Sequence, residues 1–139
     1  MRLGRRGAAD MTVGIAGDGK GSGLAYVRTD LDAARVLRVP FSYTPVADAD
    51  GLEVLYAGMS AVCATIRRMG FRRVRIGVEA KLLRTLRKGE DLPRSLSFPY
   101  VRLGCALNAF ASVQLREAQA RDADLIARAN SELAMRIAA

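Results

Sequence analysis

The chain has 139 residues, half of them hydrophobic, which is enough for one domain whose core holds without disulfides or a structural metal. It contains no histidine, so histidine-based catalysis and histidine-ligated zinc are excluded, and its two cysteines, Cys63 and Cys105, have no CxxC partner and are expected as buried free thiols on helix faces. A net charge of +8 favours a polyanionic partner, because lysines and arginines that neutralise phosphates gain free energy from counterion release.

Residues 1–10 lack periodicity and read as a disordered tail ahead of one domain over 11–139, with Met11 a possible second start. The tail is basic but no apolar run follows it, and apolar stretches elsewhere are broken well short of the ~18 residues a membrane span needs. A cytoplasmic protein with no membrane contact is expected. From Met11 the chain alternates, with Val13 and Ile15 set against Thr12, Gly14 and Ala16, and GDGKGSG then turns it into LAYVRT. A TDLDA turn leads to a third strand, ARVLRVPFSY, which Pro40 places at a sheet edge or a strand end.

The clearest helix is Leu52–Met69, where Leu52, Leu55, Met59, Val62, Ile66 and Met69 form one stripe and Gly70 stops it. Its small face, Ala57, Ser60 and Ala64, suits close approach to a sheet. Asp50 and Glu53 have the spacing of a capping box. RRVRIGVE is a strand with Val74, Ile76 and Val78 inward, and AKLLRTLRKG is a short helix ended by Gly89. After EDLPRS, Tyr100, Leu103, Leu107 and Phe110 mark another helix, ASVQLR a fifth strand, and Asp122 to Arg136 a last helix. Hairpin pairing followed by strand, helix, strand predicts a mixed sheet in an α/β domain.

Basic residues are dense from Arg67 to Arg94, where only Glu79, Glu90 and Asp91 oppose them. Four acids, Asp18, Glu53, Glu79 and Asp124, fall at β, α, β and α junctions in that order. Each has an ordinary explanation: a turn aspartate, a helix cap, a strand-end charge, and an N-terminal helix acid for which Asp122 is the rival. Gathered at one end of a sheet, four carboxylates without histidine would need divalent cations to offset their repulsion, and magnesium suits them best.

The segments GIAGDGKGSGLAYV, EVLYAGMSAV, VRIGVEAKLLRTLRKGE and ARDADLIARA each resemble a segment of the type I ribonuclease H family, in the same order and from about Met11 to Asn130. The resemblance implies that fold, with element order β1-β2-β3-αA-β4-αB-αC-β5-αD, in the compact form without a basic protrusion. It implies hydrolysis of the RNA strand of an RNA–DNA hybrid by two Mg²⁺ or Mn²⁺ ions held by Asp18, Glu53, Glu79 and Asp124. One ion would activate water and the other would stabilise the leaving 3′-oxygen. Lys20, Lys81 and Arg84 are the candidate phosphate contacts, and a monomer is expected because no exposed apolar stripe is evident.

Some features depart from the family pattern. The family's third acid is usually Asp where this chain has Glu79, and the Asn pair that many members carry before the helical Glu is replaced by Asp48-Ala49-Asp50-Gly51. Two alternatives therefore stand beside the enzyme. One is a degenerate module of the same fold that binds nucleic acid or protein without cleaving, and the other is a nuclease with a different nucleic-acid substrate.

Overall fold

The computed structural model describes residues 8–30, 35–88 and 93–138. Three strands come first, β1 Ala9–Gly17, β2 Ser22–Thr29 and β3 Val36–Ser42, followed by helix α1 Leu52–Arg68, strand β4 Arg73–Val78 and helix α2 Ala80–Lys88. Helix α3 Ser97–Asn108, strand β5 Ser112–Glu117 and helix α4 Ala123–Ala138 complete the order, with single 3₁₀ turns at Arg94–Leu96 and Ala120–Asp122 leading into α3 and α4. The expected element order is present. The TDLDA turn, the stop at Gly89 and the EDLPRS turn fall wholly or partly outside the described residues.

The strands form one mixed sheet in the order β3-β2-β1-β4-β5. β1 pairs antiparallel with β2, and β2 with β3, while β4 runs parallel to both β1 and β5. Pro40 lies on β3, the outer strand, where its missing N–H costs no ladder bond.

Strand alternation sorts the core into two layers. Met11, Val13 and Ile15 of β1, with Val27, Val74, Ile76 and Val78, meet Leu55, Met59, Val62 and Ile66 of α1, and Leu82 and Leu103 close the same layer. On the other face, Ala16, Leu24 and Tyr26 pack against Leu125, Ala129 and Leu133 of α4. Thus, among the described residues, α1 to α3 cover one face and α4 covers the other. Tyr26 fixes that helix further: its hydroxyl donates to Glu132, and Arg128 lies 4.6 Å above its ring.

Five expectations are corrected. Ala9 and Asp10 belong to β1 rather than to a tail, because Ala9 to Thr12 pair with Val74 to Gly77 and the Asp10 carboxylate lies 2.9 Å from Arg75. The residue that meets the sheet closely on α1 is Gly58, where a Cβ would come within 2.6 Å of Ile15 Cγ2, while Ala57, Ser60 and Ala64 face a cleft. No capping box forms, since the helix is capped by Gly51 without a side-chain bond and Glu53 turns away to accept from the Val46 N–H at 2.8 Å. Phe110 is buried but lies beyond the end of α3. Cys63 is buried as expected, with burial pushing its thiol up to about 12, but Cys105 is exposed.

Candidate functional site

The parallel register of β1 and β4 is the ruler for the four acids. Thr12 stands beside Gly77, so two residues further on Gly14 stands level with Glu79 at the C-terminal end of β4. Asp18 is four residues beyond Gly14, about 13 Å along an extended strand. It sits past the end of β1 in the hairpin, where its Oδ1 accepts from the N–H groups of Lys20 at 2.7 Å and Ser22 at 3.1 Å. Those two amides hold its carboxyl below the usual carboxylate range. Its geometry is that of an Asx turn.

A carboxylate level with Glu79 and on the α4 face would have to grow from Gly14. A Cβ there would lie 2.6 Å from the Cβ of Leu125 and 2.7 Å from the backbone nitrogen of Ile126. The position is closed to any side chain unless α4 moves.

The other three acids are also apart in their environments. Glu53 is buried, its Oε2 taken by Val46 and its Oε1 without a partner among the described residues, and it lines the cleft between α1, α3 and the β3–α1 loop. Glu79 is half-buried at the β4–α2 junction. Asp124 opens α4 with its side chain 56% exposed, and Arg28 Nη2 lies 2.5 Å from its Oδ2. The same guanidinium donates through Nη1 to Asp122 Oδ1 at 3.2 Å, and the Asp122 side chain is only 7% exposed. Arg28 holds the Asp124 carboxyl below its ordinary range. Both rivals for the last acidic position are thus paired with one arginine.

Around this pair the junction is charge-balanced. Asp10, Asp30 and Asp122 alternate with Arg28, Arg116 and Arg121 in a polar hollow of about 560 Å³. Arg116 also donates to Thr12 Oγ1 at 3.3 Å. Among the described residues no three acidic, histidine or cysteine side chains gather closely enough to hold a metal ion. The four predicted ligands do not fit a pair of ions as they stand.

The sequence reading missed Arg28 and Asp10. Arg28 was visible as the third term of the series Leu24, Tyr26, Arg28, the β2 residues that face α4, where an arginine among core positions demands a buried anion. Asp10 was hidden because a polar residue at a strand's first turn looks like a tail.

The basic block divides in space. Arg67 and Arg68 end α1 while Arg72 and Arg73 enter β4, so these four exposed arginines lie at the opposite end of β4 from Glu79. Among the described residues none of the four has a carboxylate within salt-bridge distance, whereas Arg28, Arg38, Arg75, Arg116, Arg121 and Arg136 all do. Lys81, expected on phosphate, is tied to Asp50 at 3.1 Å, while Lys20 and Arg84 are exposed.

The architecture as a whole superposes on solved structures. RNase H1 from the halophilic archaeon Halobacterium salinarum NRC-1 superposes with a TM-score of 0.61, over 88% of this chain and 94% of that one. The fold is ribonuclease H-like. The N-terminal RNase H domain of rv2228c from Mycobacterium tuberculosis superposes with a TM-score of 0.58, over 94% of this chain and 99% of that one. Both are 12% identical to this chain, so the likeness is one of ribonuclease H-like architecture. No family profile and no curated protein sequence matches the chain. No helix among the described residues is long and apolar enough to cross a membrane.

Proposed function

We propose that this ribonuclease H-like chain is a nucleic-acid-binding module that does not cut its ligand through a two-metal centre. The observation that carries this reading is the Arg28 guanidinium seated between Asp122 and Asp124. A permanently charged side chain stands where a divalent ion would have to enter, and displacing it would strand a charge. The closed position at Gly14 supports the same reading. Binding is supported by the +8 charge and by the unpaired group Arg67, Arg68, Arg72 and Arg73. The ligand proposed is an RNA–DNA hybrid, which this architecture can select through 2′-hydroxyls rather than bases.

A second reading remains the metal-dependent endoribonuclease, favoured by the retention of Glu53, Glu79 and Asp124 at the expected junctions and by the unpartnered Oε1 of Glu53. In it Asp18, Glu53, Glu79 and Asp124 would move together to hold two Mg²⁺ or Mn²⁺ ions, with Lys20, Lys81 and Arg84 on phosphate. Ions so held would activate water and stabilise the leaving oxygen.

One experiment separates the two. A labelled hybrid, duplex DNA and duplex RNA are each incubated with the protein in Mg²⁺, Mn²⁺ or EDTA, and both retention and product are measured. The first reading expects salt-sensitive retention without metal-dependent product. RNA-strand product that needs metal and is lost in Asp124→Asn establishes the second. Neither retention nor product sinks both.

A further inference from the structure

A second cleft among the described residues lies away from α4. It has a volume of about 860 Å³ and opens between α1, α3 and the β3–α1 loop. That is within the range of small-molecule sites, roughly 300–1,000 Å³. Its walls are apolar: Phe41, Tyr43, Val46, Ala57, Ala61 and Phe98. Two features of this cleft lack a structural explanation.

The first is Glu53. Its residue is 7% exposed, its Oε1 has no hydrogen-bond partner, and among the described residues no lysine or arginine pairs with it. A carboxylate held in apolar surroundings on one amide hydrogen bond is costly. Ser60, two turns and about 10 Å further along the same cleft-facing side of α1, also has a buried hydroxyl oxygen with no partner. The second is Phe98, 70% exposed at the cleft, with Val101 59% exposed three residues on. These two contradict the expectation that no apolar surface is left open. Arg102 lines the same cleft, but its guanidinium stands 5.7 Å from the Phe98 ring and the residue is exposed. It does not neutralise Glu53.

We propose that this cleft binds a small organic cation, an amine or amidine carried on an aromatic body, with the charge at Glu53 and the body between Ala57, Ala61 and Phe98. A protonated nitrogen supplies both the missing counter-charge and the missing donor. Phe98 gives the body an aromatic wall. Because Glu53 Oε1 is closed to bulk water, the ligand engages the carboxylate by a small turn of the Glu53 side chain within the cleft. Small size and pre-formed walls favour a free small molecule over a peptide.

The test uses the folded chain, ¹⁵N-labelled, titrated with benzamidine, benzyl alcohol and benzoate, which share a ring and differ in charge. Benzamidine is expected to shift the amides of Val46, Ala57, Ser60 and Ala61 and to bind at least about tenfold more tightly than benzyl alcohol, the increment of a charge-assisted hydrogen bond. Benzoate is expected to be excluded. Glu53→Gln keeps an acceptor for the Val46 N–H and should bring benzamidine down to the affinity of benzyl alcohol. Ala61→Leu fills the cleft and should block both. Failure of benzamidine to shift these amides, equal affinity for the charged and neutral rings, or undiminished binding in Glu53→Gln each overturns the proposal. If Glu53→Gln does not fold, the comparison of the three rings on the native chain and the Ala61→Leu block still decide it.

Discussion

Arg28 Nη2 lies 2.5 Å from Asp124 Oδ2, so the first acid of α4 is bound to the middle strand of the opening hairpin, 96 residues away in sequence. The contact does two things. It ties α4 to β2 near the helix start, as Tyr26 of β2 and Arg38 of β3 hold it through Glu132 further along. It also fills the space beside Asp122 and Asp124 with a guanidinium that stays charged at any physiological pH.

Arg28→Met tests both. Asp122 would be left buried without its partner, and stability at pH 7 should fall by about 2–4 kcal/mol. Urea unfolding measures it. The loss should shrink as pH falls through the carboxylate range, because Arg28 holds the Asp124 carboxyl below its ordinary value and that contribution goes as Asp124 protonates. An unchanged midpoint would mean that the pair contributes nothing.

At Gly14 the prediction is steric. Gly14→Ala places a methyl 2.6 Å from the Leu125 Cβ and 2.7 Å from the Ile126 nitrogen, and backbone cannot step aside as a side-chain tip can. A cost of about 3 kcal/mol is expected, the upper part of the range for overpacking. Gly14→Asp, which would install the acid at this level, should be worse. Native-like stability in either variant would show that α4 is not seated as described.

Asp18 discriminates a turn residue from a metal ligand. As an Asx turn it stabilises the hairpin, so Asp18→Ala should lower the melting temperature and Asp18→Asn should lower it less, since Asn keeps the acceptor. A carboxylate crowded among others would behave oppositely, its removal raising the melting temperature. Thermal unfolding of the two variants without metal gives the sign.

The pH dependence centres on Glu132. Hydrogen bonds from Arg38 first and Tyr26 second bring its carboxyl down from 4.5 to about 2. A depressed carboxyl stabilises the folded chain fully above the unfolded value and loses that contribution as pH falls from 4.5 towards about 2. The melting temperatures of the native chain and Glu132→Gln should therefore differ at pH 6 and converge through that window. A gap that persists to the acid end would refute the assignment.

The two cysteines should differ sharply towards a thiol reagent. Cys105 is exposed and should react at once, whereas Cys63 is fully buried with its thiol raised to about 12, so it should react only on unfolding. Stopped labelling with and without denaturant counts the thiols in each phase. Two fast thiols in the native chain would contradict the burial of α1.

Most of the architecture could be read locally. The stripe from Leu52 to Ile66 specifies a helix, and the alternations Met11, Val13, Ile15 and Val74, Ile76, Val78 specify strands, because side-chain periodicity is a property of neighbouring residues. Gly70 as a stop and Pro40 on an outer strand were legible for the same reason. The unusual charge was legible too.

The site was another matter, since its geometry depends on register between strands distant in sequence. The motif around Asp18 places an acid after a strand, but only the β1–β4 pairing reveals that Gly14, four residues earlier, is the residue level with Glu79. Likewise, Asp124 carries the same local signal whether its partner is an ion or an arginine. The choice was made by the pleat of β2, which turns Arg28 towards α4. The run from Arg67 to Arg94 looked like one basic surface because sequence distance is short, yet the length of β4 separates Arg67, Arg68, Arg72 and Arg73 from Lys81 and Arg84. Composition and periodicity determined what this chain folds into, while long-range pairing decided which of its charges meet.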